Sequence, residues 1–471
     1  MQTAEKRVPR VSLRQRLLPK IASIPDGYTA KGLYKDIIVI AWPALVELIL
    51  SQLTSMADLM MVGNLGPWAI TSVGLTTQPK FLLLTMFMSL NVGVTALVAR
   101  LKGEGKQQDA NDIFRQAIVL NIVLGIIASI VGWVFAEPLV RFMGAQEELT
   151  LRGGTQYLQM QMLGFIPLAL TSTITAALRG AGHSKEAMYY NTTANVVNII
   201  LNYLLIEGHL GFPRLEVLGA SLATSIGQCV GFGVALVIAL RGKCYVRLNF
   251  RGYRLDPGII KRIARVGAPA MLEQAFMRAG MIMFAKTVAG LGTVEFATHN
   301  VCMNIQALTF MTGQAFATSA TSLVGQSLGK KSPQLAECYG SRTRRLGLIT
   351  AFILMAAFLI FPRQFVALYN DDAQIVETGA RILMMVALMQ PFQSSQFITA
   401  GALRGAGDTR FPAIVSFLTV FLLRPGMAIW LVNYTELGLY GAWIAMIADQ
   451  LVRTIMVFLR YNGGKWKTMK V

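Results

Sequence analysis

Four carboxylates stand well inside long apolar runs: Glu47 and Asp58 in one, Glu273 in a second and Asp449 in a third. An ionisable group at membrane depth costs about 2.5–3.5 kcal/mol on insertion scales, so each is a candidate for work on a charged visitor. Glu47 and Asp58 are eleven residues apart. That is close to three helical turns, so they share one face and differ in depth by roughly 16 Å. Asn198 and Asn202 are i, i+4 neighbours on another helix, and with Thr224 they can supply neutral oxygens around the lone Asp58 carboxylate. Such a set suits a hard cation such as a transient sodium ion, whereas an isolated buried carboxylate carries a proton instead. Glu273 lies four residues after Pro269, a residue that bends a helix and suits a moving gate. Asp449 sits four before Arg453, the spacing of a helical ion pair. Arg278, about 140° round the helix from Glu273, is expected to pair with a different helix. Spacing assigns no partner to Lys80, Lys286 or Arg424.

The elements that carry these groups are membrane spans. Hydrophobic residues make up 54% of the 471-residue chain and charged ones 14%, against about 25% charged in soluble domains. Mean hydropathy is +0.52. Runs such as Ala117–Phe135 and Leu346–Phe361 are, with their flanks, long enough to cross a hydrocarbon core of roughly 30 Å. The pattern predicts an all-α polytopic membrane protein with twelve spans near 37–62, 70–99, 112–136, 153–178, 187–206, 217–240, 259–289, 296–326, 338–361, 376–402, 411–431 and 437–460. The net charge of +19 crowds into every second connection, which orients a membrane chain with both termini in the cytosol of a cell-membrane protein. It is not a nucleic-acid footprint.

The cysteines, Cys229, Cys244, Cys302 and Cys338, lack CxxC spacing and read as small buried hydrophobes, and the three histidines stand apart in sequence. This excludes a zinc or haem enzyme as the expected class, and no cofactor is expected. GQSLGKKS (325–332) imitates a phosphate-binding loop but is one residue short and has no preceding strand, so no ATP site is expected.

The second half of the chain echoes the first. Pro43 aligns with Pro269, Glu47 with Glu273 and Gly103 with Gly329, and ALRGAG occurs at both 177–182 and 402–407. This predicts two pseudo-symmetric six-helix lobes, 36–240 and 266–460, related by an axis along the membrane normal with a path between them. A basic segment (1–35), a linker (241–265) and a tail (461–471) complete the division. Each ALRGAG ends a helix at the cytosolic face, its glycine supplying a left-handed turn and its arginine expected at the anionic leaflet.

These motifs in this order resemble the multidrug and toxic compound extrusion (MATE) family: MADLMMVG closing span 1, NVVNIILNYLLIEG in span 5, LGASLAT opening span 6 and the paired LRGAG turns. The likeness runs from about Leu33 to Tyr461. It implies a monomeric secondary antiporter, with neither ATP nor nucleic acid as partner, that expels amphipathic or cationic small molecules in exchange for sodium ions or protons. Asp58, Asn198, Asn202 and Thr224 fall on the family's N-lobe cation pocket, with Asn202 where several members have a second aspartate. The resemblance gives Glu273 a role in coupling or in holding substrate, although some members carry that glutamate near Met277; Glu47, its repeat mate, is either a coupling or a structural residue. Gln393 occupies the place of an aspartate found in some members. Gln390, Gln393, Gln396, Asn300, Asn304 and Met311 are the expected cavity lining, and Pro43, Pro269 and Pro391 the expected hinges. Two other classes compete with this reading: a flippase for lipid-linked oligosaccharide or peptidoglycan precursors, which needs a strongly cationic cavity, and an integral membrane enzyme, which needs clustered acid–base groups.

Overall fold

The computed structural model describes residues 23–145, 147–249, 254–369 and 372–469. Most of the basic N-terminal segment therefore lies outside the described residues. The rest forms twelve span-length helical units in two lobes. Spans 1–3 are Ala30–Gly63, Pro67–Glu104 and Gln107–Val134; span 4 is the broken pair Glu148–Leu163 and Phe165–Gly180; spans 5 and 6 are Ser184–Leu205 and Glu216–Arg241. Spans 7–10 are Pro257–Ala289, Thr293–Gly329, Pro333–Ile360 and Ala373–Gly405, and spans 11 and 12 are Arg410–Tyr434 and Gly438–Asn462. Eight of these are apolar enough to cross a membrane unaided, or nine with the broken pair. Spans 5, 7 and 8 fall short, and they carry Asn198, Asn202, Glu273 and Asn300. The buried Asn198, Asn202 and Glu273 lower the hydropathy of spans 5 and 7, and the exposed Asn300 that of span 8.

Span 7 begins at Pro257, capped by the Asp256 carboxylate, which accepts from the Gly258 and Ile259 amides. The linker is thus shorter than the 241–265 stretch expected. The tail folds back: Trp466 is fully buried and its indole N–H donates to the Tyr461 carbonyl. Span 4 bends by 50° at Gly164. Pro167 cannot donate to the preceding turn, and Ser225 of span 6 donates to the Met160 carbonyl at 2.9 Å. A Cβ at residue 164 would meet Ser225 and Gln228, so span 6 packs into the bend. Pro43, Pro269 and Pro391 instead lie inside continuous helices.

The lobes meet through spans 1 and 2 of one and 7 and 8 of the other. Ser319 donates to the Ile37 carbonyl at 2.9 Å, and Ser322 and Gln326 both donate to that of Gly180. A Cβ on Gly103 would overlap the Gln326 carbonyl, and one on Gly329 that of Arg100. Glycine is required there because two backbones touch. Every span-to-span hydrogen bond described between the lobes lies at this end, where Arg100, Lys102 and Lys330 also cluster. Farther along, the Arg278 guanidinium crosses to the Phe81 ring at 4.5 Å, the inter-helix partner its angular position required.

Candidate functional site

Both ALRGAG turns close with the same hydrogen bonds. Gly182 donates to Arg179 and His183 to Leu178; Gly407 donates to Arg404 and Asp408 to Leu403. The glycines stand at φ +80° and +89°, so these are Schellman closures. The arginines that precede them do not extend to a lipid surface. Arg179 reaches Glu47 of span 1 at 2.7 Å, and Arg404 reaches Glu273 of span 7 at 2.5 Å. Tying an arginine to a buried carboxylate satisfies both charges inside the bundle, which an outward arginine would leave undone. Glu47 also accepts from Asn191 at 2.8 Å.

Asp58 has different surroundings. It is half-buried and lines an N-lobe cavity of about 710 Å³ together with Thr54, Lys80, Tyr157, Asn198 and Thr224. Asn202 donates to Asp58 Oδ1 and to Asn198 Oδ1, and Asn198 donates to Thr224 Oγ1 at 3.0 Å. Turning the Asn198 amide over sets its nitrogen 2.8 Å from Asp58 Oδ1. The side-chain oxygen of the fully buried Asn202 has no partner, and a small cation beside Asp58 would give it one. Among the described residues no base lies within 4.0 Å of the Asp58 carboxylate, although the Lys80 ammonium shares the cavity.

The C-lobe encloses a cavity of about 160 Å³. Asp449 is fully buried at its margin and is held by two arginines: Arg424 at 2.5 Å and, more loosely, Arg453 at 3.4 Å. The dominant partner is therefore Arg424 of span 11, not the i+4 neighbour that spacing suggested. A widened, π-helical turn over Phe417–Leu423 precedes Arg424.

The MatE family profile matches residues 43–204 and 269–430, one stretch in each lobe. The chain belongs to the MATE family. Its relatives include a probable multidrug resistance protein NorM of Thermotoga maritima, 29% identical over 98% of both chains. The multidrug resistance protein PmpM of Pseudomonas aeruginosa is 26% identical over 92% of each. A solved outward-facing conformation of a multidrug resistance MATE family transporter matches with a TM-score of 0.85 at 24% identity, covering 91% of this chain and 95% of that one.

Within this MATE transporter the sequence-predicted residues separate into two groups. Asp58, Asn198, Asn202 and Thr224 come together as one network. Glu273 stands outside it, bonded to Arg404. Of the six residues expected along a substrate cavity, Gln393 lines the C-lobe void; Gln390, Gln396 and Met311 are buried outside its lining, and Asn300 and Asn304 are exposed. Span 8 instead contributes Met303, Gln306 and Phe310, because one face of a helix excludes residues about 100° away. Tyr157 and Gln161, which sequence reasoning missed, line the N-lobe cavity. Gln161 leaves both amide atoms buried and unpartnered, and its place on the inner face of the bent span 4 had no signal in the apolar pattern.

Two smaller expectations change. Cys229 is exposed, unlike the other three cysteines. His183 has Glu186 and Cys244 nearby, with potential ligand atoms within 4.8 Å of one another. Burial and the Glu186 charge push the Cys244 thiol up to about 11, and the Tyr245 amide donates to His183 Nε2, so the thiol stays protonated and the imidazole is already occupied.

Proposed function

We propose that this chain is a secondary active antiporter that exports amphipathic or cationic small molecules, taking up sodium ions or protons in return by alternating access. The observation that carries the reading is Asp58: a carboxylate with no arginine on it, in a cavity wide enough for solvent, bonded by neutral amides, with the unpartnered Asn202 oxygen beside it. A group so placed gains from a mobile cation what a fixed arginine gives Glu47 and Glu273. Its likeness to multidrug resistance proteins supports the export of varied compounds.

Positive residues gather at the sealed end of the lobes. By the charge rule that end faces the cytosol, so the arrangement is open outward, with Asp58 accessible to the entering ion. Cation binding favours one arrangement of the lobes only by its difference in affinity between the two. Substrate and ion then compete through that equilibrium rather than by touching. We assign coupling to the Asp58 network and a fixed, structural part to Glu47 and Glu273.

The test uses proteoliposomes carrying a fluorescent organic cation under an imposed sodium or pH gradient. Wild type transports under at least one gradient, and Asp58→Asn abolishes the gradient-driven component while the purified protein stays monodisperse. Equal flux in the two proteins removes Asp58 from the mechanism.

A further inference from the structure

We propose that the C-lobe cavity binds the anionic end of an amphipathic organic substrate, a carboxylate carried by an organic anion or a zwitterion. The cavity is lined on its apolar side by Met277, Met303, Phe310 and Phe397, and on its polar side by Arg424 and Arg453. The two guanidiniums share a single oxygen of a single acid, Asp449 Oδ2. The Glu273–Arg404 pair nearby is neutral as a unit, so this interior carries one positive charge more than it carries negative ones. Arg453 is 5% exposed, and its Nε has no partner.

A surplus charge in a low-dielectric interior costs several kcal/mol unless a counter-charge joins it. Guanidinium groups offer paired donors that match a carboxylate in geometry as well as sign. Thioether and aromatic walls then accept an apolar body of variable shape. Gln306 and Gln393 aim further polar groups at the same void and leave their side-chain oxygens without donors. An ammonium or amide N–H elsewhere on the ligand would meet them. The N-lobe differs: its cavity is lined by Asp58, Glu47 and Lys80, with no arginine among its lining residues. A cation at Asp58 in one lobe and the substrate's acid in the other keep ion and substrate apart.

This inference rests on the export reading, since it names what is exported, but its test needs no gradient. Equilibrium binding to the detergent-purified full chain is measured with three dansyl probes: dansylglycine (a carboxylate), dansylglycinamide (neutral) and dansylcadaverine (a cation). Dansylglycine is expected to bind about tenfold or more tightly than the amide, the worth of one charge-assisted contact. Arg453→Gln erases that preference. Asp449→Asn frees both guanidiniums and strengthens dansylglycine binding several-fold while leaving the amide unchanged, a gain that misfolding does not produce. Equal affinities for the three probes, a preference for dansylcadaverine, or a dansylglycine preference untouched by Arg453→Gln overturns the inference. The wild-type probe series decides the matter by itself if a variant does not fold. Carboxylate-selective binding without gradient-driven flux would overturn the antiporter reading and leave this site standing.

Discussion

In the N-lobe Glu47 meets Arg179, and in the C-lobe Glu273 meets Arg404; each residue of one pair is the repeat mate of a residue in the other. Thr95 and Thr321 repeat the likeness one layer away, donating across to the Ala176 and Gly401 carbonyls. Farther from the sealed end the symmetry stops. The offset that pairs Glu47 with Glu273 pairs Asp58 with Phe284, a buried ring that lies 5.9 Å from the Arg424 guanidinium. The same offset pairs Lys80 with Gln306. Duplication supplied a common frame, and the two cavities were rebuilt within it: one around an acid without an arginine, the other around an acid with two.

The shared pairs allow the sharpest attack on this comparison. Glu273 is more enclosed than Glu47, with side-chain exposures of 3% and 11%, so losing its arginine strands the worse-hydrated charge. Arg404→Ala should cost about 3–5 kcal/mol. Arg179→Ala should cost less, about 1–3 kcal/mol after allowance for water access and for Asn191. Thermal unfolding in detergent, followed with a thiol-reactive dye, ranks the two. Equal losses would mean that the lobes hold these pairs alike. Restoring neutrality with Arg404→Ala plus Glu273→Gln should recover much of the loss.

The seal between lobes comes next. Gly103→Ala pushes a methyl into the span 8 backbone, and a cysteine placed at Ser322 should then be alkylated several-fold faster from the closed end. Unaltered labelling would show that the seam absorbs the methyl without opening. Within the N-lobe, Lys80→Gln removes a competing ammonium from the Asp58 cavity. It should shift the ion dependence of flux several-fold toward lower ion concentration, an effect of about 1 kcal/mol. A shift toward higher concentration would make Lys80 a helper instead. Thr224→Val is the mildest change: it deletes one hydroxyl of the network and should weaken ion activation by about fivefold, the worth of one hydrogen bond.

Much of this was legible in the letters. Apolar runs and breakers located all twelve spans, and the repeated phrase located two lobes. The Asn198–Asn202 spacing and the resemblance together located the Asp58 network. The glutamate–arginine pairs were not legible, because their members lie more than a hundred positions apart and a long arginine gives no directional cue. Pro43, Pro269 and Pro391 each lie within a continuous helix, and the 50° bend in span 4 falls instead at Gly164, where span 6 crowds the backbone, a feature with no cue in the apolar pattern. Asp449 misled because an i+4 neighbour is visible in sequence, and a better-aimed guanidinium on span 11 is not.

The π-helical stretch at Phe417–Leu423 carries a consequence for how this protein changes. Such a turn takes in one extra residue without rotating the helix beyond it. Losing one codon within that stretch should therefore tighten span 11 and keep Arg424 facing Asp449, whereas the same loss just past it would rotate the residues that follow by about 100°. Short in-frame deletions in span 11 should be tolerated at Phe417–Leu423 and damaging beyond it.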